Sequence, residues 1–413
     1  MRSQRAIQVL TASVVLFTVA LLGPIASAAP VDVGTITKFT VPTPQSYPSG
    51  ITAGPDGNVW FTETNANQIG RITPSGRVRE FPVPTPMSFP HDITAGPDGN
   101  LWFTEPGLST DKVASITPDG TITEFSVPYR PYGITTGPDG NLWFTQTADS
   151  QIGRITLSGA VTEFPLPPFS YPGGITAGPD GNLWVSESGA IGRITPSGTI
   201  TEFPSTPCSG TSGITTGPDG NLWFTSPSRS ICRMTTSGVV TEFIVSTPSA
   251  LVRGITAGPD GNLWFTEYKG AKIGQITTAG VITEFPIPGN RQSQPPSIAA
   301  GPDANLWFTL QFNNQIGRIT DAPVPAASLS PNSGPPGTAV QASGSGYGSF
   351  ETVVLTFVDS GTGKTNLGRV LTDPDGHFST TVSIPANATL GPQTVRVGGT
   401  ISTLVVNSTF TVT

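Results

Sequence analysis

Proton-transfer chemistry near neutral pH would have to come from two histidines, His91 and His377, in this 413-residue sequence. His91 belongs to a series that recurs every 39 to 43 residues: Ser49, His91, Tyr132, Gly173, Ser212, Arg253 and Pro296. Two residues earlier runs a companion series of Tyr47, Phe89, Arg130, Tyr171, Gly210, Leu251 and Gln294. Gathered in one place, these residues would form an aromatic surface with a few polar groups and no carboxylate. Such a surface suits a sugar, a peptide or a macrocycle; the competing reading is that the side chains only fill an opening. A third series holds Glu63, Glu105, Glu187 and Glu267, with Gln146, Ser226 and Leu310 at the remaining positions. His91 and Glu105 could act as a base and its carboxylate partner. A glutamate repeated this regularly serves more often as a hydrogen-bonding support for loops, and the recurrent Arg71, Arg154, Arg193, Arg233 and Arg318 read as structural too.

What would gather such series is an internal repeat. The unit reads Ile-Thr-Ala-Gly-Pro-Asp-Gly-Asn-Leu-Trp-Phe-Thr-Glu, then Ile-Gly-Arg-Ile-Thr-Pro-Ser-Gly, then Ile-Thr-Glu-Phe-Pro, and its Trp falls at 60, 102, 143, 184, 223, 264 and 307. Four strand-like runs in a period near 40 residues make one blade of a β-propeller. Pro-Asp-Gly, as at Pro97-Asp98-Gly99, presets a tight turn between the first two strands, and Pro74-Ser75-Gly76 does the same between the last two. The seventh unit stops after Ile316-Gly317-Arg318-Ile319 without an outer strand. Ile36-Thr37-Lys38-Phe39 at the other end has the missing pattern. The expectation is all-β: a seven-bladed β-propeller closed by an N-terminal strand and followed by a small β-sandwich.

Composition agrees. Charged residues are only 11%, and Gly (49) with Pro (42) exceed a fifth of the chain, punctuating short strands. A net charge of −7 excludes a nucleic-acid partner, for want of a basic patch. Residues 1–28 read as a signal peptide: Arg2 and Arg5, an apolar run from Val9 to Leu22, then Ala26-Ser27-Ala28 before a cleavage site. The alternative, an uncleaved anchor, is disfavoured because the run is short for a ~30 Å hydrocarbon core. No later segment is apolar enough to span a membrane. The protein is thus expected to be secreted and monomeric, with attachment to a cell surface left open. In that setting Cys208 and Cys232 are expected to form a disulfide on the variable face, free thiols being the alternative.

Residues 29–320 form the propeller in this scheme, 321–325 a linker and 326–413 the sandwich. Val353 to Phe357, Phe378 to Val382 and Phe410 to Val412 are its strand-like runs. Ser330-Pro331-Asn332-Ser333-Gly334-Pro335-Pro336-Gly337 resembles the opening of bacterial immunoglobulin-like surface modules, which space or attach exported domains. Asp373 and Asp375 read as a hairpin turn rather than a calcium site.

Antiparallel order puts the first–second and third–outer turns on one face of the disc, nearly identical in every unit. The remaining loops share the other face and vary, which marks the binding face.

The full unit, with Thr-Glu-Phe-Pro-Val-Pro-Thr-Pro as at 79–86 in related form, resembles the virginiamycin B lyase family over about residues 35–320. The resemblance implies elimination at the ester of streptogramin B antibiotics with Mg²⁺, two histidines acting beside two glutamates. The histidine positions fall on Arg253 and Pro296, and the glutamate positions on Gln294 and Gln311. The expected function is therefore recognition of a small molecule, glycan or peptide without catalysis and without a cofactor. The alternative is a lyase or lactone-cleaving enzyme with an altered site around His91 and Glu105, and only then Mg²⁺.

Overall fold

Each Pro-Asp turn, completed by glycine in six units and by Ala304 in the seventh, is tied to the tryptophan that follows it. The indole N–H donates to the turn aspartate in all seven units, from Trp307 to Asp303 at 2.8 Å to Trp264 to Asp260 at 3.3 Å. The turn thereby satisfies the one polar group that a buried tryptophan brings with it. All seven indoles are fully buried. Each stacks on a phenylalanine of the outer strand with ring centres 5.1–5.5 Å apart. Burying one tryptophan removes ~150–250 Å² from water, roughly 4–6 kcal/mol as an upper bound.

The computed structural model describes residues 34–413 except 109, 209–211, 290–292, 321–325, 346, 348–350, 374–376 and 401–404. The signal peptide and the linker read from the sequence lie outside the described residues, as do Gly210 and Asp375. Among the described residues the repeats form seven four-stranded antiparallel sheets. Their first strands, from Pro48–Ala53 to Ile298–Ala300, succeed one another in a ring, the seventh touching the first. The chain is a β-propeller.

The last sheet is completed from the other end of the chain. Ile36–Thr40 pairs antiparallel with Gln315–Thr320, Ile36 opposite Ile319 and Phe39 opposite Ile316. Phe39 stacks on Trp307 as Phe81 does on Trp60. The core is not central. It consists of apolar clusters between consecutive sheets, and one of them joins Trp307 and Ile316 of the last sheet to Ile51, Val59 and Phe61 of the first. Arginines cross the same boundaries: Arg71 pairs with Asp56 at 3.3 Å and donates to the Pro118 carbonyl of the next sheet at 2.9 Å. Arg318 does so across the seam to Pro74, which bears out a structural role for this series.

Residues 326–413 fold as a three-stranded and a five-stranded sheet. Their core gathers Val340, Leu355, Phe357, Phe378, Val395 and Phe410. Thr352–Asp359 alternates half-buried and buried residues along its length, as a strand with one face in a core must.

Candidate functional site

Where the seven first strands begin, their backbones crowd together. A Cβ at Gly133 would lie 2.8 Å from the Gly173 carbonyl oxygen, and one at Gly213 only 2.5 Å from that of Arg253. Glycine therefore stands just before the strand's Ile in five of the seven units, with Asp92 and Ser297 in the other two. The residue before that glycine is left to project into the opening. All seven members of that series, Ser49 to Pro296, line one cavity of about 350 Å³ at the channel mouth.

The companion series is not brought together there. Of its described members only Leu251 lines the cavity. Tyr47, Phe89, Tyr171, Leu251 and Gln294 have φ between +29° and +61°, so the loop turns back at each of them. Tyr47 packs instead on Phe312 of the last sheet, ring centres 4.9 Å apart, while Tyr171 and Arg130 are exposed on the rim. The left-handed residues carry the companion side chains away from the cavity.

A second correction concerns charge. The mouth does contain a carboxylate, because Asp92 replaces the crowded glycine in the second sheet. One of its oxygens accepts from its neighbour Ile93 N–H and the other from Ile134 N–H of the third sheet, both at 3.0 Å. Burial lifts its pKa to about 6 against those two bonds. Beside it the His91 ring lies on Tyr132, centres 4.0 Å apart, with Nδ1 lacking any hydrogen-bond partner. Burial pushes His91 down to about 4, against a bond to the Tyr132 backbone and helped by the positive charges of Arg130 and Arg253. At neutral pH the imidazole is uncharged and weakly basic. On the sixth sheet Arg253 lies over Tyr268 at 4.0 Å, and the Tyr268 hydroxyl donates to Gln311 at 3.2 Å. The sequence reading missed Asp92 and Tyr268; His91-Asp92-Ile93 in place of residue-Gly-Ile was the available signal for the first.

Glu105 does not partner His91. It is buried at the end of the second strand of its sheet, away from the cavity, with its charge facing Glu124. Glu63, Glu187 and Glu267 face Glu80, Glu202 and Glu284 in the same way. As supports for the loops these inner glutamates reach one hydroxyl each, Ser46 for Glu63, Ser88 for Glu105 and Thr247 for Glu267, which lowers their pKa against burial. The outer partners hold the loops more fully. Glu80 accepts from Thr43 N–H and Oγ1 at 2.8 and 2.9 Å, and Glu124 from those of Thr85 at 3.0 and 2.8 Å.

Cys208 and Cys232 are bonded, Cα atoms 6.5 Å apart. Cys232 is not exposed on the variable face: it lies inside Ser230–Met234, buried with Trp184 and Met234 between two sheets.

The donor set does not fit Mg²⁺. A hard cation asks for free carboxylates, whereas the one carboxylate of the mouth has both oxygens taken by N–H groups and the Gln311 oxygen takes a hydroxyl. Among the described residues no three His, Cys, Asp or Glu form a metal-binding group. What the mouth offers is stacking surface, one cation and one anion.

A propeller ring with a polar, aromatic-lined mouth defines a class of channel-mouth ligand sites on repeated blades. The comparisons narrow it. The sequence pattern of the virginiamycin B lyase family matches residues 31–170 and 168–373, and the chain belongs to that family. A solved virginiamycin B lyase from Staphylococcus aureus is 42% identical, covering 69% of this chain and 99% of that one with a TM-score of 0.65. A catalytically inactive histidine-to-alanine variant of the Staphylococcus aureus enzyme, solved with quinupristin, is 41% identical with the same coverage and TM-score. A virginiamycin B lyase from Bacillus licheniformis is 46% identical over 43 residues, 10% of this chain and 15% of that relative, about one repeat.

Proposed function

We propose that this chain is an exported, monomeric recognition protein that binds a small molecule, glycan or peptide at the channel mouth and does not turn it over. The observation that carries this reading is Arg253 and Pro296 lining the mouth at the positions where the family resemblance calls for histidines. Elimination at an ester needs a base and an electrophile held at the same substrate. Arginine stays protonated near neutral pH, proline cannot titrate, and Gln294 and Gln311 are neutral at the two glutamate positions. Met87, Leu108, Phe169, Tyr171 and Phe312 stand half or more exposed on loops of the same face, an apolar rim suited to binding. Residues 326–413 act as a spacer or attachment module of the immunoglobulin-like kind.

A second reading, an altered lyase or lactone-cleaving enzyme, is favoured by Asp92 beside His91, and opposed by the low basicity of His91. The test is incubation with quinupristin and Mg²⁺. Recovery of intact quinupristin is expected. Ring-opened product, lost with EDTA and with His91→Ala, overturns the binding reading.

A further inference from the structure

Arg253 stands at the channel mouth without an anion, unlike four of the five recurrent arginines of the propeller. Arg71, Arg154, Arg233 and Arg318 each meet an aspartate of their own sheet. Arg253 has no acidic partner among the described residues, and its guanidinium lies over the face of Tyr268. That ring is itself held by the bond from its hydroxyl to Gln311, so the guanidinium is kept in a fixed plane at the cavity wall. A planar, oriented and unpaired guanidinium is a receptor for a carboxylate.

The other side of the mouth is built differently. His91 and Tyr132 present stacked rings, and Asp92 places a negative charge beside them. A carboxylate is repelled there and drawn to Arg253, while an aromatic group suits the paired rings. A cavity of about 350 Å³ has room for one side chain and its backbone.

We infer that the mouth is a carboxylate receptor, Arg253 binding the carboxylate of an aromatic acyl-amino acid or of a peptide's C-terminal aromatic residue, whose ring lies against His91 and Tyr132. This deepens the reading of the mouth as a binding site and rests on it.

The experiment uses the full chain and two matched pairs of probes: N-acetylphenylalanine with its primary amide, and Gly-Gly-Phe with its C-terminal amide, titrated at neutral pH by calorimetry or NMR. The acid is expected to bind about tenfold tighter than the amide, the scale of one charge-assisted hydrogen-bonding pair. Preference in both pairs shows that a small acid suffices, and preference only in the tripeptide identifies a peptide terminus. Arg253→Gln should erase the difference while the melting curve stays unchanged. Equal binding of acid and amide to the unaltered chain overturns the inference, as does no binding of either acid at millimolar concentration, or a preference that survives Arg253→Gln. Turnover of quinupristin would defeat the binding reading and leave the acid–amide comparison readable, so the two fail separately.

Discussion

Glu63 holds a carboxyl group inside the first sheet with a second carboxyl, Glu80, close by. Burial, with the Glu80 charge added, raises its pKa from 4.5 to about 8, and Glu105, Glu187 and Glu267 reach about 7 mainly through burial. A folded-state pKa above the unfolded one means that the native state holds the proton more tightly. The stability gained from it is complete below about pH 4.5 and is lost as pH rises through 7 to 8. The melting temperature should therefore fall from pH 5 to pH 8.5, and a flat or rising profile would contradict the buried pairs. The third sheet shows how to remove the effect: Gln146 occupies the equivalent place and donates to Glu163 at 2.9 Å and to the Tyr129 carbonyl at 3.2 Å. Glu63→Gln should raise the melting temperature at pH 8.5 by a few degrees and change little at pH 5. A loss at both pH values would mean that the carboxyl serves something the amide cannot.

Turns and strands were legible because their causes are local. Pro-Asp-Gly fixes a turn within three residues, and the tryptophan it satisfies stands four residues after the aspartate in every unit. The residue at the mouth was legible too, since its neighbour in five of the seven units is a glycine at a crowded backbone approach. Its companion two residues earlier was misread because the left-handed φ of Tyr47 or Leu251 belongs to a loop conformation that residue types do not spell out. The facing glutamates stayed hidden for another reason. They meet only once the outer strand is in register, Glu80 opposite Gly70, with Gly70 opposite Phe61 beside Glu63. Cys232 shows both sides of this. Its pairing with Cys208 followed from export and count, but its depth followed from taking a glycine's place in a buried third strand. The bridge should contribute about 3 kcal/mol in the chain-entropy model. Labelling the unfolded, unreduced chain should find no thiol, and two labelled cysteines per chain would refute the bridge.

Ring closure is the property that belongs to the molecule as a whole. Seven sheets packed in a circle have no terminal blade to leave exposed, provided the last one has its outer strand, and that strand lies almost 280 residues before its partner. Without Ile36–Thr40, the Gln315–Thr320 strand would present a row of unpaired N–H and carbonyl groups, a template for pairing with another chain. Trp307 would lose its stacked Phe39, and the cluster that joins the last sheet to the first would lose Val41. Two variants separate the edge from the packing. Phe39→Ala removes the ring but keeps the backbone pairing, and should cost about 3 kcal/mol while the protein stays monomeric. Phe81→Ala removes the corresponding ring from Trp60 in the first sheet and should cost a similar amount, since neither change opens an edge. Deleting the chain through Val41 should do more: a much lower melting temperature together with concentration-dependent aggregation seen by light scattering. If the truncated protein melts like Phe39→Ala and remains monomeric, the strand is ordinary packing and the seam is held by the inner strands alone. If it aggregates, the N-terminal strand is what makes the ring a closed object.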